Sequence, residues 1–309
     1  MVTKSSNSLA DPDELSMRHA AQADALDKIS SLPEEGAQHV SQSPKLTECR
    51  ASELDAYRPF SVGRIIFALP AYNEGESLPP LLTRIQTAMN GRGQNFHVVI
   101  ANDGSKDDTE LVASRFSFHM DLTLINHEVN QGFGAAMKSA VLGACEIADK
   151  HDVIVTMDAD NTQPPESIYR MVDLINEGYD VIIASRYRPG ARVVGVPWHR
   201  NIYSLGARLL FTCLFPTRGV RDYTSGFRAV RASVLHDAVR VYGDRLFTED
   251  GFSATVDMLL KLRRLPRTTL FYEVPLVLRY DQKPGASKMN VTRTIIKTLK
   301  LMLKRKVQQ

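Results

Sequence analysis

The sequence has little cysteine and no long apolar run, and each shortage removes a class of protein. Three cysteines in 309 residues, Cys49, Cys145 and Cys213, are far apart, odd in number and without a CxxC spacing. Neither a disulfide framework nor a zinc site is indicated, and the thiols read as reduced. No stretch approaches the roughly 18 uninterrupted apolar residues that span a bilayer; the best candidate, residues 202–215, is interrupted by Arg208. The N-terminal segment mixes Asp, Glu, Lys and His without an apolar centre, which excludes a conventional secretory leader and predicts a cytoplasmic protein. Aromatics are scarce in the basic C-terminal segment, which argues against single-stranded nucleic acid as a partner, because such binding needs stacking rings among the charges.

What remains is an ordinary globular composition, 43% hydrophobic and 24% charged, enough for a large buried core. The net charge of +3 hides a partition. Residues 1–60 hold six Lys/Arg against ten Asp/Glu, whereas residues 288–309 hold seven Lys/Arg and no acid. Residues 1–60 are also rich in Ser, Ala and Gln, cannot offset chain entropy by apolar burial, and read as a disordered tail. From residue 61 short apolar runs alternate with longer helical segments, which predicts βα units on a mainly parallel sheet. The runs are residues 65–68, 98–101, 122–125, 153–157 and 181–184. Further on the pattern predicts a helix over 198–215, a loop over 222–228, a helix near 251–263, a strand over 270–278 and a last helix from 291.

Three of the runs flow into polar clusters: Pro70-Ala-Tyr-Asn-Glu74, Asn102-Asp-Gly-Ser105 and Asp158-Ala-Asp160. Ligands of open α/β sheets bind outside the carboxyl ends of the strands, so these clusters are expected to converge on one crevice. Asp158 and Asp160, spaced i, i+2 at a strand end, share a face and form a carboxylate pair suited to Mg²⁺ or Mn²⁺, hard ions that bridge one or two carboxylates to substrate phosphates. Asp103 sits where a carboxylate accepts bonds from a base or ribose, or else makes an Asx turn ahead of a helix. Asn130-Gln-Gly-Phe-Gly134 opens a helix; its glycines permit close approach of a phosphate or, equally, tight packing.

Together these clusters resemble the family-two inverting glycosyltransferases of GT-A fold, and within them the dolichol-phosphate mannosyltransferase branch. Pro70-Ala-Tyr-Asn-Glu-Gly-Glu76 is similar to the family's PxYNExE, Asn102-Asp-Gly-Ser-Lys-Asp-Asp-Thr109 to its DDGSxDxT and Asn130-Gln-Gly-Phe-Gly134 to its NxGxG. Asp158-Ala-Asp160 with Pro164-Pro-Glu166, Ser185-Arg-Tyr187, Thr224-Ser-Gly-Phe-Arg228 and Gly285-Ala-Ser-Lys288 follow in order. The resemblance implies a Rossmann-like α/β catalytic domain over residues 61–290 that transfers mannose from GDP-mannose to a polyprenyl phosphate. It implies that Pro70, Tyr72, Glu74, Asp103, Lys138 and Asp158 hold the nucleotide sugar, and that Asp158 and Asp160 hold the metal. Arg186, Arg200, Ser204, Arg279 and Lys288 are implied to receive the lipid phosphate, with Asp160, Arg186 and Arg200 closest to the chemistry.

Three departures stand out. Asn102 replaces the family's first Asp, Ala140 stands where a glycine is usual, and Thr162 occupies the place of a metal-binding Gln, with Gln163 one residue later. These leave the third metal ligand open between Thr162 and Gln163. They also keep a non-catalytic nucleotide-sugar-binding scaffold in view, and because the motifs do not fix base or sugar, a UDP-sugar donor is the alternative to GDP-mannose. The final segment, residues 291–309, predicts an amphipathic helix. Val291, Ile295, Leu299, Met302 and Leu303 recur on one side and Arg293, Lys297, Lys300 and Lys304 on another, a pattern suited to peripheral contact with an anionic membrane surface.

Overall fold

The computed structural model describes residues 61–195, 206 and 208–282. The predicted tail over 1–60, the C-terminal helix over 291–309 and the Gly285-Ala-Ser-Lys288 motif lie outside the described residues.

The fold is α/β, built on a seven-stranded sheet in the order β3-β2-β1-β4-β7-β5-β8. Strand β1 (Ile65–Ala71) pairs in parallel with β2 (Phe96–Asn102) on one side and with β4 (Val153–Thr156) on the other, and β2 pairs in parallel with β3 (Leu122–Asn126). Beyond β4 comes β7 (Arg228–Arg231), antiparallel to both β4 and β5 (Val181–Ser185), and then β8 (Phe271–Pro275), parallel to β5.

Every residue of β1 is buried, and its alternate side chains serve two cores, as the period of two requires. Ile65, Phe67 and Leu69 pack with Leu81, Leu82 and Ile85 of helix α1 (Leu78–Gly91), with Ala113 of α2 (Thr109–Phe116), and with Met171 and Ile175 of α4 (Ile168–Asn176). Ile66 and Ala68 face the opposite core with Met137 and Val141 of α3 (Phe133–Ile147), Leu235 of α5 (Ala232–Tyr242) and Leu259 of α6 (Ser253–Leu262). Helices therefore cover both faces, which explains why these strands read as continuous apolar runs.

The five runs of the sequence correspond to β1 to β5, in order. Two features depart from the reading. The stretch over 270–278 is two strands, because the chain leaves the large sheet at Pro275 and β9 (Val277–Arg279) pairs in parallel with β6 (Arg192–Val194) in a separate two-stranded sheet. Strand β7 was not expected, and it overlaps the predicted loop only at Arg228: Arg-Ala-Val-Arg carries charge at both ends, yet it lies in the middle of the sheet with all four residues buried. Of the helix expected over 198–215, residues 208–214 are helical and most of the remainder lies outside the described residues. No helix among the described residues is long and apolar enough to cross a membrane.

The chain runs from β1 outward to β2 and β3, then returns to add β4 on the other flank of β1. That reversal leaves a crevice outside the carboxyl ends of β1 and β4, where a doubly wound sheet binds its ligand. Asn73 and Asp158 follow those two strand ends.

Candidate functional site

The turns after β1 and β2 are stitched to each other by side-chain oxygens meeting backbone amides. Asn73 is held in a left-handed conformation, φ 52°, which Asn tolerates better than most residues. Its N–H donates to Ser105 Oγ (2.9 Å) and its Oδ1 accepts the Lys106 N–H (2.8 Å). The Glu74 N–H donates to Thr109 Oγ1 (2.8 Å) and the Gly75 N–H to Asp107 Oδ2 (2.9 Å). Burial works to raise the Asp107 pKa, but hydrogen bonds from the Thr109 side chain and the Gly75 amide outweigh it and hold the carboxyl below its ordinary value. Tyr72 and Glu74 are half-buried in this turn, whereas Pro70 is buried within β1, in register with Ala101, so its contribution is to the strand and not to the crevice.

Asp103 takes a different set of partners from a base or ribose. It is 1% exposed. Its Oδ1 accepts from His127 Nδ1 (2.8 Å) and the Gln131 N–H (2.9 Å), and its Oδ2 accepts the Gly132 N–H (2.8 Å). His127 Nε2 in turn meets Ser139 Oγ at 2.8 Å on α3. The carboxylate thus anchors the glycine loop over 127–132. That loop folds directly onto Gly104, where a Cβ would stand 2.6 Å from the Val129 carbonyl carbon. Gly134 is equally constrained, since a Cβ there would come 2.6 Å from the Glu249 carbonyl oxygen, and the neighbouring Phe133 stacks on Phe252 with ring centroids 4.3 Å apart. Of the two readings of the NxGxG glycines, tight packing accounts for Gly134. Lys138, on the first turns of α3, reaches Asp244 Oδ1 at 3.1 Å on the surface.

The Asp158-Ala159-Asp160 segment leaves β4 and turns back through Asn161, the second left-handed non-glycine residue among those described, with φ 58°. The reversal brings the next two side chains onto the two carboxylates. Gln163 Nε2 donates to Asp158 Oδ2 (2.9 Å) while its Oε1 accepts the Asp158 N–H (3.1 Å). Thr162 Oγ1 donates to Asp160 Oδ1 (2.7 Å). Thr162 and Gln163 therefore act here as partners of the carboxylates, one each. On the other side of Asp158 stands Gly226, where a Cβ would meet Asp158 Oδ1 in ordinary van der Waals contact at 3.8 Å. Two oriented carboxylates are hard oxygen donors of the kind that Mg²⁺ or Mn²⁺ takes, the ion completing its shell with water and phosphate.

The opposite wall is made of buried charge. Arg186 follows β5 and grips Asp222 in a bidentate pair, Nε to Oδ2 at 2.9 Å and Nη2 to Oδ1 at 2.7 Å, and Nη2 also donates to Thr224 Oγ1. Burial disfavours both charges, yet each holds the other ionised: the Asp222 pKa lies below its ordinary value and that of Arg186 above. Glu273 of β8 accepts the Arg221 and Asp222 amides at 2.6 Å each on Oε1. Burial pushes its pKa up despite those bonds. Arg279 sends its backbone N–H to the Thr162 carbonyl (2.9 Å), which places β9 against the carboxylate turn, while its guanidinium pairs with Asp281 (2.8 Å). Arg200, Ser204 and Lys288 lie outside the described residues.

Three features of this end of the sheet escaped the sequence reading. Arg228, at the start of β7, is completely buried and donates to the carbonyls of Thr255 (2.5 Å) and Tyr223 (2.9 Å); burial pulls its pKa down to about 10, with Asp222 opposing. Glu249 and Asp250, an acidic pair just before α6, are brought to the crevice side by the contact with Gly134. Their signal was present in Thr248-Glu-Asp-Gly251, but acids ahead of a helix also read as end-capping residues. Arg84, on α1, reaches Asn161 and lies in no motif at all.

The glycosyl transferase family 2 model matches residues 67–238. The dolichol-phosphate mannosyltransferase of Pyrococcus furiosus is 34% identical over 173 residues, 56% of this chain and 47% of that protein, so the match spans about half of the relative's length. The dolichyl-phosphate hexose transferase of Haloferax volcanii is 32% identical over 220 residues, covering 71% of this chain and 83% of the relative. Among solved structures, glucosyl-3-phosphoglycerate synthase from Mycobacterium tuberculosis, in complex with Mn²⁺ and UDP-glucose, superposes with a TM-score of 0.53 at 20% identity over 86% of this chain and 84% of its own. That likeness establishes a shared GT-A fold.

Proposed function

The chain belongs to glycosyl transferase family 2, and on that premise we propose that it moves a hexosyl group from a nucleotide-diphosphate sugar to a polyprenyl phosphate, inverting the anomeric carbon, with GDP-mannose as donor. The observation that carries this reading is the carboxylate pair Asp158 and Asp160 at the strand-order reversal, each oriented by its own partner side chain. The names of the Pyrococcus and Haloferax relatives supply the acceptor class and the hexose.

The chemistry of such an acceptor matches what the crevice holds. A lipid phosphate is largely anionic at neutral pH, its second pKa being about 6, and it attacks without a general base. It requires orientation and a setting that tolerates its charge next to a diphosphate. Arg186 and Arg279 enter this reading already paired with Asp222 and Asp281, so the heavier share of the acceptor phosphate is assigned to Arg200, Ser204 and Lys288. A divalent ion, Mg²⁺ or Mn²⁺, held by Asp158 and Asp160 would supply Lewis-acid stabilisation of the departing diphosphate. The turn over 72–75 and the loop anchored by Asp103 frame the nucleotide. An acceptor that stays in the bilayer makes this a protein of the membrane surface, with residues 291–309 assigned to that contact.

Calorimetry with GDP-mannose and UDP-glucose, each with and without Mn²⁺, tests the donor half. Metal-dependent binding of GDP-mannose is expected. Preference for UDP-glucose would replace the donor, and binding of neither would overturn both donor assignments.

A further inference from the structure

We propose that Arg84 is a positioning residue for the metal-binding turn, acting through Asn161 to keep Thr162 and Gln163 on the two carboxylates; the inference rests on the assignment of a divalent ion to Asp158 and Asp160.

The chain must reverse immediately after Asp160 for the next two side chains to return to the carboxylates. The reversal is made at Asn161 with φ 58°, a left-handed conformation that costs free energy in any residue with a Cβ and persists only where its surroundings hold it. Asn161 is 8% exposed, and its side-chain oxygen accepts from Arg84 Nη1 at 2.9 Å. The same guanidinium is fixed in turn by Glu166, Nη2 to Oε2 at 2.9 Å and Nε to Oε1 at 3.3 Å. One rigid fork thus joins Asn161, at the start of the turn, to Glu166, beyond its Pro164-Pro165 exit. From the other side the Arg279 N–H holds the Thr162 carbonyl at 2.9 Å. With Asn161 fixed, Gln163 spans Asp158 through both ends of its amide and Thr162 caps Asp160.

A bland alternative is a surface ion pair. The side chains of Arg84 and Glu166 are 31% and 51% exposed, and such pairs contribute little by themselves. The bond to the buried Asn161 separates the two, because it lies on the path to the carboxylates and a solvated pair would have no reason to make it. Lysine, a point charge without the planar fork, cannot serve Asn161 and Glu166 together.

The test is Mn²⁺ titration of the full chain, with the metal alone and with GDP or UDP present, bound ion being read from loss of the hexaaqua EPR signal. The variants are R84A, R84K, N161G and R84A/N161G, with D158N marking loss of the site. R84A is expected to bind Mn²⁺ about tenfold more weakly, the low end of what partners of metal ligands contribute, and R84K to resemble it. Because glycine takes positive φ without steric penalty, R84A/N161G should recover most of the loss. Circular dichroism establishes that each variant is folded. Wild-type Mn²⁺ affinity in R84A and R84K would overturn the clamp while leaving the metal site standing, and so would a loss that Gly at 161 does not reduce. Failure of the wild-type chain to bind Mn²⁺ under any of these conditions would overturn the metal site and the clamp together.

Discussion

The two walls of the crevice reach a fixed geometry by different physical means. On the side of β1, β2 and β4, short polar side chains meet backbone amides, most of them from the next turn at the same end of the sheet: Ser105 with Asn73, Asp107 with Gly75, Asp103 with Gln131 and Gly132, Gln163 with Asp158. On the side of β5, β7 and β8, ionisable side chains are held in largely buried positions: Arg186 against Asp222, Glu273 beneath the amides of 221 and 222, and Arg228 between two carbonyls. Most bonds of the first wall are partly solvated, so that wall can lose one of those side chains and keep its fold; Asp103, 1% exposed, is the exception. The second is less tolerant, since removing Asp222 leaves Arg186, whose side chain is only 23% exposed, without its charge partner. Damage to the first wall should therefore appear in ligand binding, and damage to the second in stability.

The strongest test of that division is Asp158→Asn or Asp160→Asn. Either change is expected to weaken metal-dependent donor binding roughly 100-fold or more, beyond the 10- to 100-fold typical of residues that only support a ligand, with little change in thermal stability. Calorimetry beside a melting curve decides it, and unchanged donor affinity in both variants would remove the metal assignment. On the other wall, Asp222→Asn leaves Arg186 without its charge partner and should cost about 3 kcal/mol of stability, the low end for a buried pair because the arginine keeps 23% exposure. A denaturant titration measures this; a loss confined to ligand binding would show the comparison to be drawn in the wrong place.

The smallest expected effect concerns pH. Because the Asp222 pKa lies below its ordinary value, its contribution to stability is present above the usual carboxylate range and is lost as pH falls through the lowered value. Glu273 runs the other way: burial raises its pKa, so its contribution is full at low pH and fades as pH rises through the raised value. Glu273→Gln keeps an oxygen for the Arg221 and Asp222 amides but cannot ionise. The stability of the wild type relative to this variant should decline with rising pH across that window, as urea midpoints at a series of pH values would show. A difference independent of pH would mean that burial does not move the Glu273 pKa from its unfolded value.

The same contrast governs what the sequence could tell. Strands β1 to β5 and the clusters that follow them were legible because buried parallel strands are continuous apolar runs and their turns use Asn, Asp, Gly and Ser for local reasons. Asp158 and Asp160 were found this way. The partners of Asp103 were not, since nothing local in Asn102-Asp-Gly-Ser105 announces His127 or the amides of Gln131 and Gly132. Strand β7 was missed because Arg228 and Arg231 look exposed in sequence, and only the tertiary setting supplies carbonyls for both guanidiniums. Thr162 and Gln163 were left open as the third metal ligand, and nothing in the sequence signals that the left-handed turn at Asn161 brings each of them to a carboxylate. Arg84 had no signal, because a clamp between a helix and a turn 77 residues apart leaves no periodicity.

The most direct test of the account is a product assay. The full chain is incubated with Mn²⁺, a short polyprenyl phosphate and a panel of GDP- and UDP-sugars, and any glycolipid is identified by mass. The account predicts a hexosyl polyprenyl phosphate from GDP-mannose that disappears on chelation of the metal and in Asp160→Asn. Donor binding without glycolipid from any sugar in the panel would contradict it, and would make the chain a nucleotide-sugar-binding protein built on a transferase fold.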